Sequence, residues 1–152
     1  MLNIFKNSQE AEVEKITPSK EAALRWLNKA VNKLSFVKKA TGLGEGEEEI
    51  YEMIYDVRRI GCEAILAFYG YRVKSSGPGH HKLVIKKAAE LISPKLRNEF
   101  FRLEKMRGIR NKLEYGNEVS VSEQELKQAY EDGQTLLKEV SSMLKEPERP
   151  MI

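Results

Sequence analysis

"EEEIYEMIYDVRRIGCEAILAFYGY", Glu47 to Tyr71, is the stretch that decides the fold. Ile50, Ile54, Val57, Gly61, Ala64 and Phe68 recur at alternating steps of four and three, which places them on one stripe of a helix. Glu47, Glu48 and Glu49 fill the first turn, where the positive end of the helix dipole favours carboxylates. Three adjacent carboxylates also resemble half a metal site. Neighbouring residues on a helix point in different directions, however, so the electrostatic account is the better one.

The segments on either side follow the same rhythm. Upstream, "TPSKEAALRWLNKAVNKLSFVKKATGLGEG" predicts a helix with Thr17 as its cap and Pro18 in its first turn. Leu24, Leu27, Val31 and Leu34 are its expected apolar face, and Gly42, Gly44 and Gly46 end it. No strand precedes that glycine run and no Lys-Ser/Thr pair follows it, which argues against a phosphate-cradling loop. Downstream, "GYRVKSSGPGHH" is a loop by composition. "HHKLVIKKAAELI" is a short third helix. Ser93-Pro94 opens a fourth helix reaching about Tyr115, with Leu96, Phe100, Leu103, Met106 and Leu113 facing inward. Ser122 and Glu125 form a capping box at the start of a fifth helix carrying Leu126, Ala129, Leu136, Leu137, Val140 and Leu144. The expected fold is all-α, an up-and-down bundle of four long helices plus one short one. Residues 17–146 form the single domain, between a flexible arm, 1–16, and a flexible tail, 147–152. No strand is expected.

At 152 residues the chain can bury a core without staples. Cys62 is the only cysteine, so an intramolecular disulfide is excluded and a reducing compartment is the expectation. "MLNIFKNSQEAEVEK" turns acidic too early for a signal peptide, and no apolar run reaches membrane-spanning length. A cytoplasmic protein is expected.

Charge is segregated along the chain. From Arg72 to Lys112 there are twelve Lys or Arg against three Glu, a net of +9, while residues 113–152 sum to −5. Such a basic stretch suits an anionic partner, although solvated helix faces would look the same in sequence. His80 and His81 are the only histidines, and they are adjacent. With one distant cysteine they do not make a zinc ligand set, so no metal or cofactor is expected. Cys62, inside an apolar helix, reads as a small core residue rather than an activated thiol.

The rhythm breaks at "MRGIRNKLEYG", Met106 to Gly116, where Arg110 fills a slot the pattern reserves for an apolar residue. Arg107, Asn111 and Tyr115 share a helix face at four-residue spacing, with Arg110 on the neighbouring one. An arginine in a largely apolar groove presents a planar fork suited to phosphate or carboxylate. Composition alone favours the plainer account, a surface pair between Arg110 and its i+4 neighbour Glu114.

"RNKLEY" resembles the signature of the HEPN superfamily, small helical bundles whose late helix carries an arginine, a polar residue and, a few positions on, usually a histidine. "GYRVKSSGPGHHKLVI" resembles one branch in which Gly-His-His opens the short third helix. The similarity runs from about Tyr51 to Val140 and includes the order of segments. It implies a homodimer whose paired motif helices line a shared cleft, with RNA or a nucleotide as ligand. It also implies a toxin–antitoxin or defence setting, in which an antitoxin or a nucleotidyltransferase is a partner. Arg110 then matches the motif arginine, Asn111 the polar residue after it, and Tyr115 the place of the histidine. The tyrosine that a nucleotidyltransferase modifies in some of these proteins is Asn117 here, so that regulation does not carry over.

Tyr115 matters chemically. Metal-free RNA cleavage needs a group to take a proton from the 2′-OH and a group to return one to the leaving oxygen. Histidine suits both roles near neutral pH, whereas a tyrosine of ordinary pKa about 10 starts roughly 4 kcal/mol behind. Three expectations follow. The first is a non-catalytic or weakly catalytic binder of RNA or a nucleotide, its basic cleft lined by Arg107, Arg110, Asn111 and Tyr115 with His80 or His81 at the rim. The second is a metal-independent endoribonuclease in which His80 or His81 replaces the missing motif histidine. The third is a protein–protein interaction module with no nucleic-acid ligand.

Overall fold

The computed structural model describes residues 11–42, 46–74, 79–114, 116 and 120–145. Their elements, in chain order, are β1 (Glu12–Lys15), α1 (Lys20–Gly42), α2 (Glu47–Tyr69), β2 (Tyr71–Lys74), α3 (His80–Ile92), α4 (Arg97–Glu114) and α5 (Glu123–Lys145). The architecture is the helical bundle that the apolar periodicity implies, with one small sheet added. Among the described residues no helix is long and apolar enough to cross a membrane.

α2 is the hub and packs against each of the other four helices. Ile50, Ile54, Val57, Ile60, Ala64 and Ile65 are all at most 4% exposed. Each large aliphatic side chain buried this way contributes about 1.5–3 kcal/mol. A small residue on the same stripe sets the approach of α5, since a Cβ added at Gly61 would stand 3.0 Å from Leu137 Cδ2 and 3.1 Å from Leu136 Cδ2. α5 starts as expected: the Glu125 amide donates to Ser122 Oγ at 3.1 Å, and the Ser122 amide reaches Glu125 Oε1 at 3.3 Å.

Four local expectations need correction. The cap of α1 is Ser19, whose Oγ accepts from the Ala22 amide at 3.0 Å, rather than Thr17. Its buried face runs through Ala23, Leu27, Ala30, Val37 and Ala40, while Leu24 and Val31 are 47% and 46% exposed. The alanines let α1 lie close to α2, so the larger side chains next to them turn outward. α4 begins at Arg97 rather than at Pro94, and residues 93–96 form a turn closed by the Lys95 amide on the Ile92 carbonyl, 2.9 Å.

The fourth correction is the sheet. Part of the expected arm, Glu12–Lys15, is β1, and part of the expected loop, Tyr71–Lys74, is β2. They pair antiparallel in the register Glu12 with Lys74, Val13 with Val73, Glu14 with Arg72 and Lys15 with Tyr71. Two opposite-charge pairs, Glu14–Arg72 and Glu12–Lys74, flank Val73, which is buried. The same segment finishes α2. The Ser19 amide donates to the Ala67 carbonyl at 2.9 Å and the Ile16 amide to the Gly70 carbonyl at 2.8 Å, satisfying acceptors that a helix end leaves over. Gly70 adopts φ 87°, and a Cβ there would meet the Ile16 carbonyl oxygen at 2.7 Å. The expected tail, 147–152, and residues 1–10 of the arm lie outside the described residues.

Candidate phosphate-binding site

Three elements converge on one cavity. α2 contributes Arg59 to its lining, with Tyr55 and Glu63 four positions to either side on the same helix face. α3 begins here: Gly79, at φ 86°, turns the chain so that His80 and His81 enter the first helical turn beside α2. α4 brings Arg107 and Asn111, again four apart. The resulting cavity, about 420 Å³, is lined by Arg59, Gly79, His80, His81, Lys82, Arg107 and Asn111. That volume lies within the range of about 300–1,000 Å³ common for ligand sites.

Tyr55 ties the two halves together. Its hydroxyl is 3.4 Å from His81 Nδ1, and the Arg110 guanidinium stands over its ring, 5.3 Å from the centroid. Arg110 therefore occupies the inward-facing slot of α4 as a half-buried side chain against an aromatic face. His81 and Arg110, twenty-nine positions apart in sequence, both contact one buried tyrosine.

The charges are partly balanced. Arg107 donates to Glu104 Oε1 at 2.6 Å through a terminal nitrogen and at 2.8 Å through Nε. Arg59 leans toward Asp56, 4.0 Å away, and its buried Nε makes no hydrogen bond. His80 Nε2 lies 3.9 Å from Glu63 Oε2, an ion pair whenever the imidazole is protonated. Burial raises the Glu63 carboxyl above its usual range, against the pull of His80 and Arg59. Burial, aided by Arg59 and Arg110, lowers His81 from 6.5 to about 4, so its ring is neutral at pH 7. Burial likewise pushes Tyr55 up to about 12, leaving its hydroxyl a donor throughout the physiological range.

Of the residues singled out in the sequence, Arg107, Asn111, His80 and His81 line the cavity, and Arg110 adjoins it through Tyr55. Tyr115 and the Glu114 side chain lie outside the described residues. Sequence reasoning missed Tyr55, Arg59 and Glu63. Their signal was a polar line at four-residue steps running beside the apolar stripe of α2. Cys62 is buried, and burial pushes its thiol up to about 12, the profile of an inert core residue. Among the described residues, no group of three or more His, Cys, Asp or Glu side chains is placed to hold a metal ion.

Directly behind the cavity lies a buried ionic network. Arg58, next in sequence to Arg59, turns into the core and is 1% exposed. It donates to the Glu99 carbonyl at 2.6 Å and to Met106 Sδ at 2.9 Å, and stands 3.7 Å from Asp132. Asp132 also accepts two bonds from Arg102, at 2.7 and 2.9 Å, and one from Gln128 at 2.9 Å. Glu99, Arg102 and Met106 all belong to α4. The network thus pins the helix to α2 and α5 in the turns that lead to Arg107 and Arg110.

No family model, curated protein or solved structure matches this chain.

Proposed function

We propose that this protein binds RNA or a nucleotide, with a phosphate seated among Arg59, Lys82 and Arg107 and Asn111 hydrogen-bonding beside it. The observation that carries the proposal is the convergence of those side chains with His80 and His81 on one nucleotide-sized cavity. Guanidinium groups offer forked donors to phosphate oxygens, and a neutral His81 adds a donor or acceptor without a charge. The lining residues of the cavity all belong to a single chain. The homodimer and an antitoxin or nucleotidyltransferase partner belong to the HEPN reading and are not needed to build the site.

A salt series with labelled RNA tests the binding reading. Each phosphate contact contributes a slope of about −0.7 in log K against log salt for single strands. Arg59→Ala and Arg107→Ala should each weaken binding across all sequences and flatten that slope by roughly one contact. Affinity that is indifferent to salt and to both substitutions would defeat it.

A second reading, metal-independent RNA cleavage, is favoured by the two histidines in the same cavity, which supply the imidazoles absent at position 115. One imidazole would take the 2′-OH proton as that oxygen attacks phosphorus, and the other would protonate the departing 5′ oxygen. The low pKa of His81 makes it a weak base, which is why binding leads. RNA incubated with excess chelator between pH 5 and 9 separates the two. Cleavage lost in His80→Ala or His81→Ala supports catalysis, and RNA left intact by the wild type rejects it.

A further inference from the structure

Next to the cavity, between α3 and α4, runs a groove of about 530 Å³ that shares only Lys82 with the cavity lining. Ile85, Ala89, Pro94, Phe100 and Phe101 give it an apolar floor. Lys82, Lys86, Lys95 and Arg97 stand along its rim, with Glu104 as the one carboxylate in the lining. Phe101 is 64% exposed, the most exposed large hydrophobic side chain among the described residues. A phenyl ring has no polar handle to justify that position, and leaving it in water forgoes burial that the core grants to Phe100 beside it. Lys105 Nζ sits 4.9 Å from the Phe101 ring centroid, so a cation already braces one side of the aromatic surface.

The groove continues the cavity. Lys82 lines both, and the Arg107–Glu104 ion pair stands between them with its arginine in the cavity and its carboxylate in the groove. Lys82 and Lys86 are one turn apart on α3, a short row of cations along the groove wall. Cations in a row beside an exposed aromatic plane match a polyanion that carries flat apolar faces at regular intervals. That is the chemistry of a single-stranded polynucleotide, whose bases stack on aromatic rings while basic side chains follow its phosphates. A duplex hides those faces in its own stack.

We infer that the α3–α4 groove is a base-binding subsite for single-stranded RNA, with Phe101 as the stacking platform and Lys82 and Lys86 tracking the backbone. The inference rests on the RNA-binding reading of the adjoining cavity, whose phosphate is the anchor from which the strand extends.

The test compares a labelled hexaribonucleotide, a dinucleotide and a duplex of the hexamer sequence, using fluorescence anisotropy with the full chain. The expected result is that the hexamer binds more tightly than the dinucleotide or the duplex. Phe101→Ala should weaken the hexamer by roughly tenfold or more while leaving the dinucleotide unchanged. Phe101→Trp should keep hexamer affinity, with indole emission quenched on binding. Because Phe101 is largely in solvent, neither substitution is expected to disturb folding, and circular dichroism checks that. Equal hexamer affinity in Phe101→Ala and wild type overturns the inference, as does a duplex bound as well as the single strand. If Phe101→Ala instead lowers the mass in sedimentation with RNA affinity unchanged, the groove seats another protein and the inference is wrong. A dinucleotide that binds wild type and is lost in Arg59→Ala, with Phe101 irrelevant, removes the subsite but leaves the cavity reading. No RNA bound by wild type removes both.

Discussion

Replacing Asp132 with asparagine keeps the shape of the side chain and removes the carboxylate that, among the described residues, is the one in ion-pair contact with Arg58. Both groups are deeply buried, at 3% and 1% exposure. Arg58 keeps its bonds to the Glu99 carbonyl and Met106 Sδ but becomes an uncompensated charge inside the bundle. Breaking such a pair from one side costs about 3–5 kcal/mol. Burial already lowers the Arg58 pKa, and Asp132 opposes that fall, so the loss is felt directly. Arg102 is a lesser matter, since its side chain is 38% exposed and water replaces the lost carboxylate at under about 1 kcal/mol. For a chain of this size the total corresponds to a melting-point drop of roughly 6–20 °C. Arg58→Met is the control. It leaves Asp132 with Arg102 and Gln128, so it should cost less than Asp132→Asn, and the double variant should recover part of the single variant's loss. Urea titration of the four proteins reads these differences. Asp132→Asn within about 1 kcal/mol of wild type, or a double variant worse than either single, would refute the reasoning.

Three further outcomes are expected. Folding holds His81 near pKa 4 against an ordinary 6.5, so the unfolded chain binds more protons between those values. Stability is therefore complete above pH 6.5 and falls as pH drops toward 4, by roughly 1 kcal/mol once solvent screening of a half-exposed ring is allowed for. Urea midpoints at pH 7 and pH 4.5 should converge in His81→Gln, and an unchanged pH dependence in that variant would rule this out. Gly70→Ala forces a side chain into φ 87° and against the Ile16 carbonyl, a loss of roughly 2 kcal/mol or more; a thermal melt indistinguishable from wild type would contradict it. Ser122→Ala removes the acceptor for the Glu125 amide and should cost about 1 kcal/mol by urea unfolding, with no change in RNA affinity.

The parts of this fold that sequence makes legible are those written in local rhythm or local chemistry. The stripe of α2, the limits of α3 and the Ser122–Glu125 box are of that kind. Where the buried face of α1 is carried by Ala23, Ala30 and Ala40, the pattern of large residues points to the wrong phase, because small side chains mark close approach and carry little hydrophobic signal. β1 and β2 are four residues each and lie some sixty positions apart, so their pairing depends on tertiary placement that no local window contains. The candidate site divides in the same way. Arg107 and Asn111 stood out beside the break in rhythm at Arg110, and His80 and His81 as the two histidines of the chain. Arg59 and Tyr55 did not, since a tyrosine and an arginine inside a mostly apolar helix acquire a role only once α3 and α4 fold against them. The adjacent pair Arg58–Arg59 shows the limit well: one arginine turns into an ionic core and the other to the cavity, and sequence alone treats them alike.

The central claim is that an RNA phosphate enters the cavity formed by Arg59, His80, His81, Arg107 and Asn111. Histidine-ring NMR during titration with a nucleoside monophosphate addresses it most directly, because the chain has only two histidines and both line that cavity. A bound phosphate should shift both ring signals and bring the His81 pKa from about 4 back toward its ordinary value, as the anion offsets Arg59 and Arg110. Saturable nucleotide binding that leaves both histidine rings and the His81 titration untouched would place the ligand elsewhere and contradict the account.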